Sequence, residues 1–273
     1  MTIQVQSLAE WVAAGVEGRL SVLIPAHDEE GHIAGTVREI AQALNAEKID
    51  HEILVVADNC SDRTEAILDE LSGEIPSLRW IRNPPPNGFG FAVRRGLAAF
   101  EGEAVAIVMA DGSDRPEDLV AFYREFEKGF DCVFGTRFSR GGKVIDYPLP
   151  KLILNRLGNL FIRTLFAVPV NDMTNAFKLY RREVVAGVQP LLARHFNLTV
   201  ELPLKAVVRG YSYSVVPNTW RNRAEGVSKF RIREMGSRYL FIIFYCWIEK
   251  LLSRGDYRQG SQRAEEQLQV WHR

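Results

Sequence analysis

Asp111 and Asp114 stand in AVAIVMADGSDRPE, residues 104–117, where an apolar run of strand type from Ala104 to Met109 stops short. Pro116-Glu117-Asp118 then opens a helix pattern. Carboxylates at that point sit where a buried strand emerges, and in an open α/β sheet the crevice beyond the strand ends is where ligands bind. Acids freed from helix geometry by Gly112 suit a divalent cation, which prefers oxygen ligands, and through it a phosphorylated ligand. Asp111, Ser113 and Asp114 are the candidate metal ligands. The same residues admit a plainer reading, in which Asp114 caps the helix ahead of Arg115-Pro116 and Asp111 makes a turn.

The elements that must place these carboxylates follow a regular pattern. Leu20 to Pro25 reads as an apolar strand, and Ile33, Val37, Ile40, Ala41 and Leu44 then recur at helical spacing. Glu52 to Asp58 is the next strand. Ser61 and Asp62 ahead of Thr64 and Glu65 signal a helix to the region of Leu71, and Leu78 to Arg82 reads as a third strand. Asn87 to Gly102 forms a loop and helix, Ala104 to Ala110 a fourth strand, Glu117 to Lys128 a helix, and Asp131 to Thr136 a fifth strand. This alternation predicts an α/β fold with a mainly parallel sheet, helices on both faces and right-handed crossovers. Residues 3–18, with Leu8, Trp11, Val12 and Val16, read as an amphipathic lead-in on the domain surface.

A dinucleotide-binding sheet needs GxGxxG between the first strand and its helix, and here that turn reads PAHDEEGHI. Acids where pyrophosphate must approach are the wrong chemistry. NGFGFAVRRG, residues 87–96, has close glycines but follows the third strand, so it reads as a flexible loop beside the site. Arg94 and Arg95 either reach a diphosphate from it or line a solvated face. The 273 residues carry 34 Lys and Arg against 34 Asp and Glu, so nothing draws the chain to nucleic acid, and an anionic ligand needs a local cluster. Cys60, Cys132 and Cys246 are too widely spaced for a disulfide framework or a zinc site. The N-terminus lacks a basic region followed by a sustained apolar core, so the expected location is cytoplasmic.

Five segments in order resemble family-2 glycosyltransferases of the GT-A fold. LSVLIPAHDEE is similar to their opening strand and PAxNE-like turn, VVADNCSDRT to VDDGSTDGT, and VMADGSD to the DxD strand end. NDMTNAFKLYRREV resembles DxTxGFRxYRR, and WRNRAEGVSKF resembles RxxGxSK, segments that mark the dolichol- or polyprenyl-phosphate glycosyltransferases. The resemblance runs from about Leu20 to Phe230. It implies a nucleotide-sugar donor over the sheet, with Pro25, His27, Asp28 and Glu29 around base and ribose, Asp58 on the nucleoside, and Ala110 and Asp111 beside the diphosphate. Asp111 matches the metal-binding acid of DxD, Met109 stands where the first acid would be, and Ala57 replaces the first acid of the DD pair. The implied cofactor is Mg2+ or Mn2+, held by Asp111 with Ser113 or Asp114, water and donor phosphates; a thioether at Met109 is a poor ligand for a hard cation.

The same resemblance implies the acceptor side. Gly135-Thr136-Arg137-Phe138 matches GSRY, Lys151 and Asn155 match basic and hydroxyl positions in the next helix, and Arg223, Ser228 and Lys229 match RxxGxSK. Arg137, Lys151, Arg223 and Lys229 are the cations that would clamp a phosphate nucleophile, with Asp111, Arg223 and Lys229 the catalytic set. Asp172, Thr174 and Asn175 shape the acceptor loop. Glu201, or else Asp172, would be the base for a hydroxyl acceptor, whereas a phosphate monoester is ionised already and needs none; in that case Glu201 orients Arg223 or Lys229. A lipid phosphate must be met at a membrane, and Tyr239 to Ile248, too short to span one, is suited to lie on it, flanked by Arg231, Arg233, Arg238, Lys250, Arg254 and Arg258. Leu152 to Phe166, with Arg156 and Arg163, is a second interfacial segment; packing on the sheet or in a homodimer is the alternative for both.

The expected organisation is a lead-in over residues 1–19, a GT-A domain over 20–230, a membrane-associating or packing helix over 231–258 and a polar tail over 259–273. The expected activity is inverting transfer from GDP-mannose or a UDP-hexose to a polyprenyl or dolichyl phosphate, peripherally on the cytoplasmic face of a membrane. A hydroxyl acceptor, or nucleotide-sugar binding without catalysis, are the competing readings.

Overall fold

The computed structural model describes residues 8–222 and 232–258. After α1 (Leu8–Ala13), strand and helix alternate through β1 (Val16–Ala26), α2 (Ile33–Ala46), β2 (His51–Ala57), α3 (Thr64–Glu74), β3 (Leu78–Arg82), α4 (Phe89–Leu97), β4 (Gly102–Ile107), α5 (Pro116–Phe126) and β5 (Cys132–Thr136). There follow β6 (Lys143–Ile145), α6 (Leu149–Phe166), β7 (Lys178–Arg181), α7 (Arg182–Gly187), α8 (Leu198–Val208), β8 (Tyr213–Pro217), β9 (Thr219–Arg221) and α9 (Ile232–Leu252).

Seven strands form one sheet in the order β3-β2-β1-β4-β7-β5-β8, and β6 pairs with β9 beside it. Strands β1 to β4 are parallel; β7 runs antiparallel to both β4 and β5, and β5 is parallel to β8. The sheet is therefore mainly parallel with one reversed strand. Side chains alternate between its faces: Leu20, Val22 and Ile24 join one core with α2, α3 and α5, while Leu23 joins another with α4, α8 and α9.

Register decides where the chemistry goes. Ala26 pairs with Ala57, and the Val108 N–H reaches the Leu23 carbonyl at 3.0 Å, so His27, Asp28, Asp58 and Asp111 all leave the sheet at one edge. Arg137 follows β5 at that edge. Reversed β7 starts there, which brings the 172–177 loop to the same place, and β8 ends there, delivering Asn218 and Trp220.

The fourth strand runs over Gly102–Ile107 and stops short of the expected Ala110, and two further expectations change. The first strand begins at Val16, not Leu20, because the polar Glu17-Gly18-Arg19 separates an exposed Val16 from the apolar run. The 87–96 segment is no flexible loop: Gly90 lies within α4, where a Cβ would stand 2.4 Å from the Arg194 carbonyl carbon, so the close approach demands glycine. Arg94 and Arg95 fall in the last turn of α4, remote from the edge, which leaves the solvated reading.

Candidate active site

One half of the edge is built from the turns after β1 and β2. Asn83 Nδ2 and Asn87 Nδ2 donate to Asp58 Oδ1 at 2.7 and 3.0 Å, and the Gly88 N–H donates to Oδ2 at 2.8 Å. Asp58 thus closes the loop before α4. His27 Nδ1 lies 2.7 Å from the Asp58 carbonyl oxygen, while Asp28, at φ 54°, accepts from the Ser61 N–H at 2.7 Å; that backbone bond holds its carboxyl below the usual range. The Glu29 N–H donates to Thr64 Oγ1 at 2.8 Å. Pro25 is buried inside β1, in register with Val56, so it supports this wall from within the sheet. Asp28, Cys60 and Asp62 offer ligand atoms within 4.8 Å of one another, but both carboxylates already cap backbone N–H groups of the neighbouring turn.

The turn after β4 is different. The Ala110 carbonyl accepts from Thr36 Oγ1 at 2.9 Å, Gly112 takes φ 66°, and Asp111 Oδ1 accepts from the Ser113 N–H at 3.1 Å. Asp114 does not cap α5; Arg115 is the capping residue and offers no side-chain bond. Instead Asp114 turns inward and is 7% exposed, with one oxygen 3.4 Å from the Met109 N–H; among the described residues its other oxygen has no partner, and neither has the buried Ser113 Oγ. Burial, then the negative charge of Asp111, push the Asp114 carboxyl up to about 7. Unpaired buried oxygens beside a second carboxylate are the donor set a hard cation requires, so Asp111, Ser113 and Asp114 fit Mg2+ or Mn2+. Met109 adds only its backbone.

The other half assembles side chains far apart in sequence. Arg137 donates from its backbone N, Nε and Nη2 to Asp172 at 3.0, 2.8 and 2.7 Å, and both residues are buried. Burial opposes the Arg137 charge, but Asp172 outweighs it and raises the guanidinium pKa. From α6, Asn155 and Asn159 donate to Thr174 Oγ1 at 2.8 and 2.9 Å. Lys151 lies half-buried in the first turn of the same helix, with no ion pair to the described residues. Asn175 donates to Asn218 at 3.0 Å. Trp220 bridges the backbone of Asp114, and the Arg221 N–H donates to the Ser113 carbonyl at 3.0 Å, so β9 runs past the carboxylates. Arg223, Ser228, Lys229 and Arg231 lie outside the described residues, as does the side chain of Arg233.

Glu201 is corrected. Its oxygens accept from the Leu192 and Ala193 N–H groups at 2.7 and 2.6 Å and meet Lys205 at 2.8 Å, wholly buried in α8. It organises the loop before that helix and is not a base facing the edge. Asn159, Lys178 and Asn218 were not anticipated; only the four-residue spacing of Asn155 and Asn159 on one helix offered a signal.

Beside this half, α6 exposes Leu149, Ile153, Leu154, Leu157, Leu160 and Phe161, and α9 exposes Leu240, Phe241, Phe244, Ile248, Leu251 and Leu252. The two faces meet where the Phe161 and Phe244 rings lie 6.2 Å apart. The opposite face of α9 packs inward through Ile242, Ile243 and Cys246 and through the Arg209–Glu249 pair at 2.8 Å. Among the described residues no helix is long and apolar enough to cross a membrane. A cavity of about 350 Å³ lies between the 192–197 loop and α9.

Solved structures share this architecture. Glucosyl-3-phosphoglycerate synthase from Mycobacterium tuberculosis, in complex with Mn2+, uridine diphosphate and phosphoglyceric acid, superposes with a TM-score of 0.63 at 17% identity, covering 91% of this chain and 84% of that one. The same enzyme with Mn2+, UDP-glucose and phosphoglyceric acid gives 0.64 at 18% identity, over 91% and 85%. The fold is that of the GT-A glycosyltransferases. The sequence model of glycosyl transferase family 2 matches residues 21–188, more than half of the chain, and the chain belongs to that family. Polyprenol monophosphomannose synthase of Mycolicibacterium smegmatis is 30% identical over 239 residues, 81% of this chain and 88% of that protein. Dolichol-phosphate mannosyltransferase of Pyrococcus furiosus is 31% identical over 218 residues, 78% of this chain and 59% of its own length.

Proposed function

We propose that this glycosyltransferase moves a sugar, with inversion, from a nucleoside diphosphate donor to a polyprenyl phosphate at a membrane surface. One observation carries the reading: α6 binds the acceptor loop through Asn155 and Asn159 on one side and exposes a leucine stripe on the other. A lipid phosphate needs that pairing, a polar site for its head beside an apolar surface for its chain. The names of the two relatives agree with it.

The proposed chemistry follows from which groups are engaged. Asp172 is held by Arg137, and Glu201 by backbone N–H groups and Lys205, so neither expected base is available to take a proton. A phosphate acceptor is ionised and attacks the anomeric carbon without one. Donor base and ribose lie against His27, Asp28 and Glu29, and Asp58 holds the Asn83–Gly88 loop beside them. Asp111, Ser113 and Asp114 would hold Mg2+ or Mn2+, which supplies positive charge to the departing diphosphate. Lys151, Arg223 and Lys229 receive the acceptor phosphate, and Ser228 adds a hydroxyl. Arg137, locked to Asp172, sets the shape of that site. The exposed faces of α6 and α9 lie on the cytoplasmic leaflet, with Arg156, Arg163 and Arg254 toward anionic headgroups.

The test is label transfer from a panel of GDP- and UDP-sugars into organic-extractable material, with and without polyprenyl phosphate and divalent metal. Transfer from one donor that needs both additions is expected. Bound donor with no labelled lipid would overturn the reading.

A further inference from the structure

Lys178 opens β7 with 1% of its surface exposed, in the place that arginine holds in the DxTxGFRxYRR pattern. Its ammonium makes no ion pair with the described residues, and burial draws its pKa down to about 7. It donates to the Met173 carbonyl at 3.0 Å, to the Asn175 carbonyl, and to the Thr199 carbonyl at 3.4 Å. An ammonium carries its donors as a tripod and a guanidinium carries them in a plane, so three converging carbonyls suit lysine. Two of the carbonyls belong to the 172–175 loop and the third to the first turn of α8.

We infer that Lys178 is a positioning residue that sets the 172–175 loop against α8 and so fixes the site that receives the acceptor phosphate. The inference rests on the reading of that loop as part of the acceptor side. Arg137 grips the loop at Asp172, and α6 grips it at Thr174; Met173 lies between these holds, and Lys178 ties its carbonyl from beneath. A buried ammonium is costly unless its protons are all used, and here the loop carbonyls would otherwise face the core unpaired. The side chain therefore serves loop geometry, for which an apolar residue would not substitute.

The test compares Lys178→Met and Lys178→Arg with the parent chain for donor affinity, acceptor KM, cooperative melting and amide hydrogen exchange. For Lys178→Met, we expect acceptor KM to rise about tenfold, since the hydrogen bonds to the loop carbonyls are lost, with donor affinity within about twofold. Lys178→Arg keeps the charge without the tripod and restores part of the acceptor KM. Unchanged acceptor KM, or equal losses for donor and acceptor, would overturn the inference. If Lys178→Met does not fold, Lys178→Arg is read by the same split of donor against acceptor. Should the parent chain transfer nothing to polyprenyl phosphate, the acceptor reading fails separately. Exchange then decides: faster exchange of the Met173 to Asn175 amides in the variants, with β1 and β2 unchanged, supports the tie, and unchanged exchange in the loop refutes it.

Discussion

The turns after β2 and β4 both end a buried parallel strand in aspartate at the same edge of the sheet, yet they leave those acids in opposite states. Each Asp58 oxygen is bound, by Asn83 and Asn87 on one side and by the Gly88 N–H on the other. Asp114 is equally buried and, among the described residues, keeps an oxygen without a partner, next to an unpartnered Ser113 hydroxyl and the Asp111 carboxylate. Burying a carboxylate costs free energy unless its lone pairs are used. Asp58 recovers that cost within the fold. Asp114 does not, and its carboxyl is pushed up to about 7 as a result. Burial alone does not tell the two acids apart; the unfilled oxygen makes Asp114 the candidate ligand.

Exchanging these acids for neutral residues tests the contrast directly. Asp114→Asn should lower transfer about a hundredfold or more, because charge on the leaving diphosphate loses its counterion. Thermal stability should hold or rise as an unpaired buried charge is removed. A destabilised variant with full activity would reverse the assignment. Asp58→Ala should instead lower stability by about 2–3 kcal/mol, read by denaturant melting, since the Asn83, Asn87 and Gly88 donors lose their acceptor. Stability equal to the parent would place Asp58 with Asp114.

pH sharpens the same comparison. Below about 7 a cation must displace the Asp114 proton, so Mn2+ affinity should tighten about tenfold per pH unit up to 7 and level off above it. Titration calorimetry reads this; flat affinity between pH 5 and pH 8, values chosen to bracket the transition, would remove Asp114 from the metal site. The smallest effect lies outside both turns. Leu157, 59% exposed on α6, touches neither carboxylate, and Leu157→Gln should weaken binding to anionic vesicles about fivefold without changing metal affinity.

The sequence carried the fold well where apolar runs alternate with helical spacing, and β2, β3, β5, α2, α3 and α5 lie close to where those runs place them. It was silent where an element lacks a buried face, as at the start of β1, or where a strand is short and reversed, as in β7. In the site, Asp111 and Asp114 were legible as acids at a strand end. That Asp114 turns inward instead of capping α5 depends on Trp220 bridging it from far along the chain. Arg137 and Asp172, each singled out, form one buried pair across 35 positions. Glu201 looked like a base because a lone acid in an apolar stretch shows its type but not its partners. Lys178 was hidden for the same reason: its three acceptors are backbone carbonyls, which no side-chain pattern records.

The most direct measurement is a competition between acceptors in a single reaction holding metal, the labelled donor, polyprenyl phosphate, the corresponding free polyprenol and phosphoglyceric acid. Label is expected in polyprenyl phosphate alone: the alcohol lacks the ionised oxygen that does without the proton acceptor Asp172 and Glu201 are too engaged to be, and phosphoglyceric acid lacks the apolar chain that the exposed faces of α6 and α9 would receive. Label in the alcohol or in phosphoglyceric acid, with polyprenyl phosphate left unlabelled, would contradict that expectation.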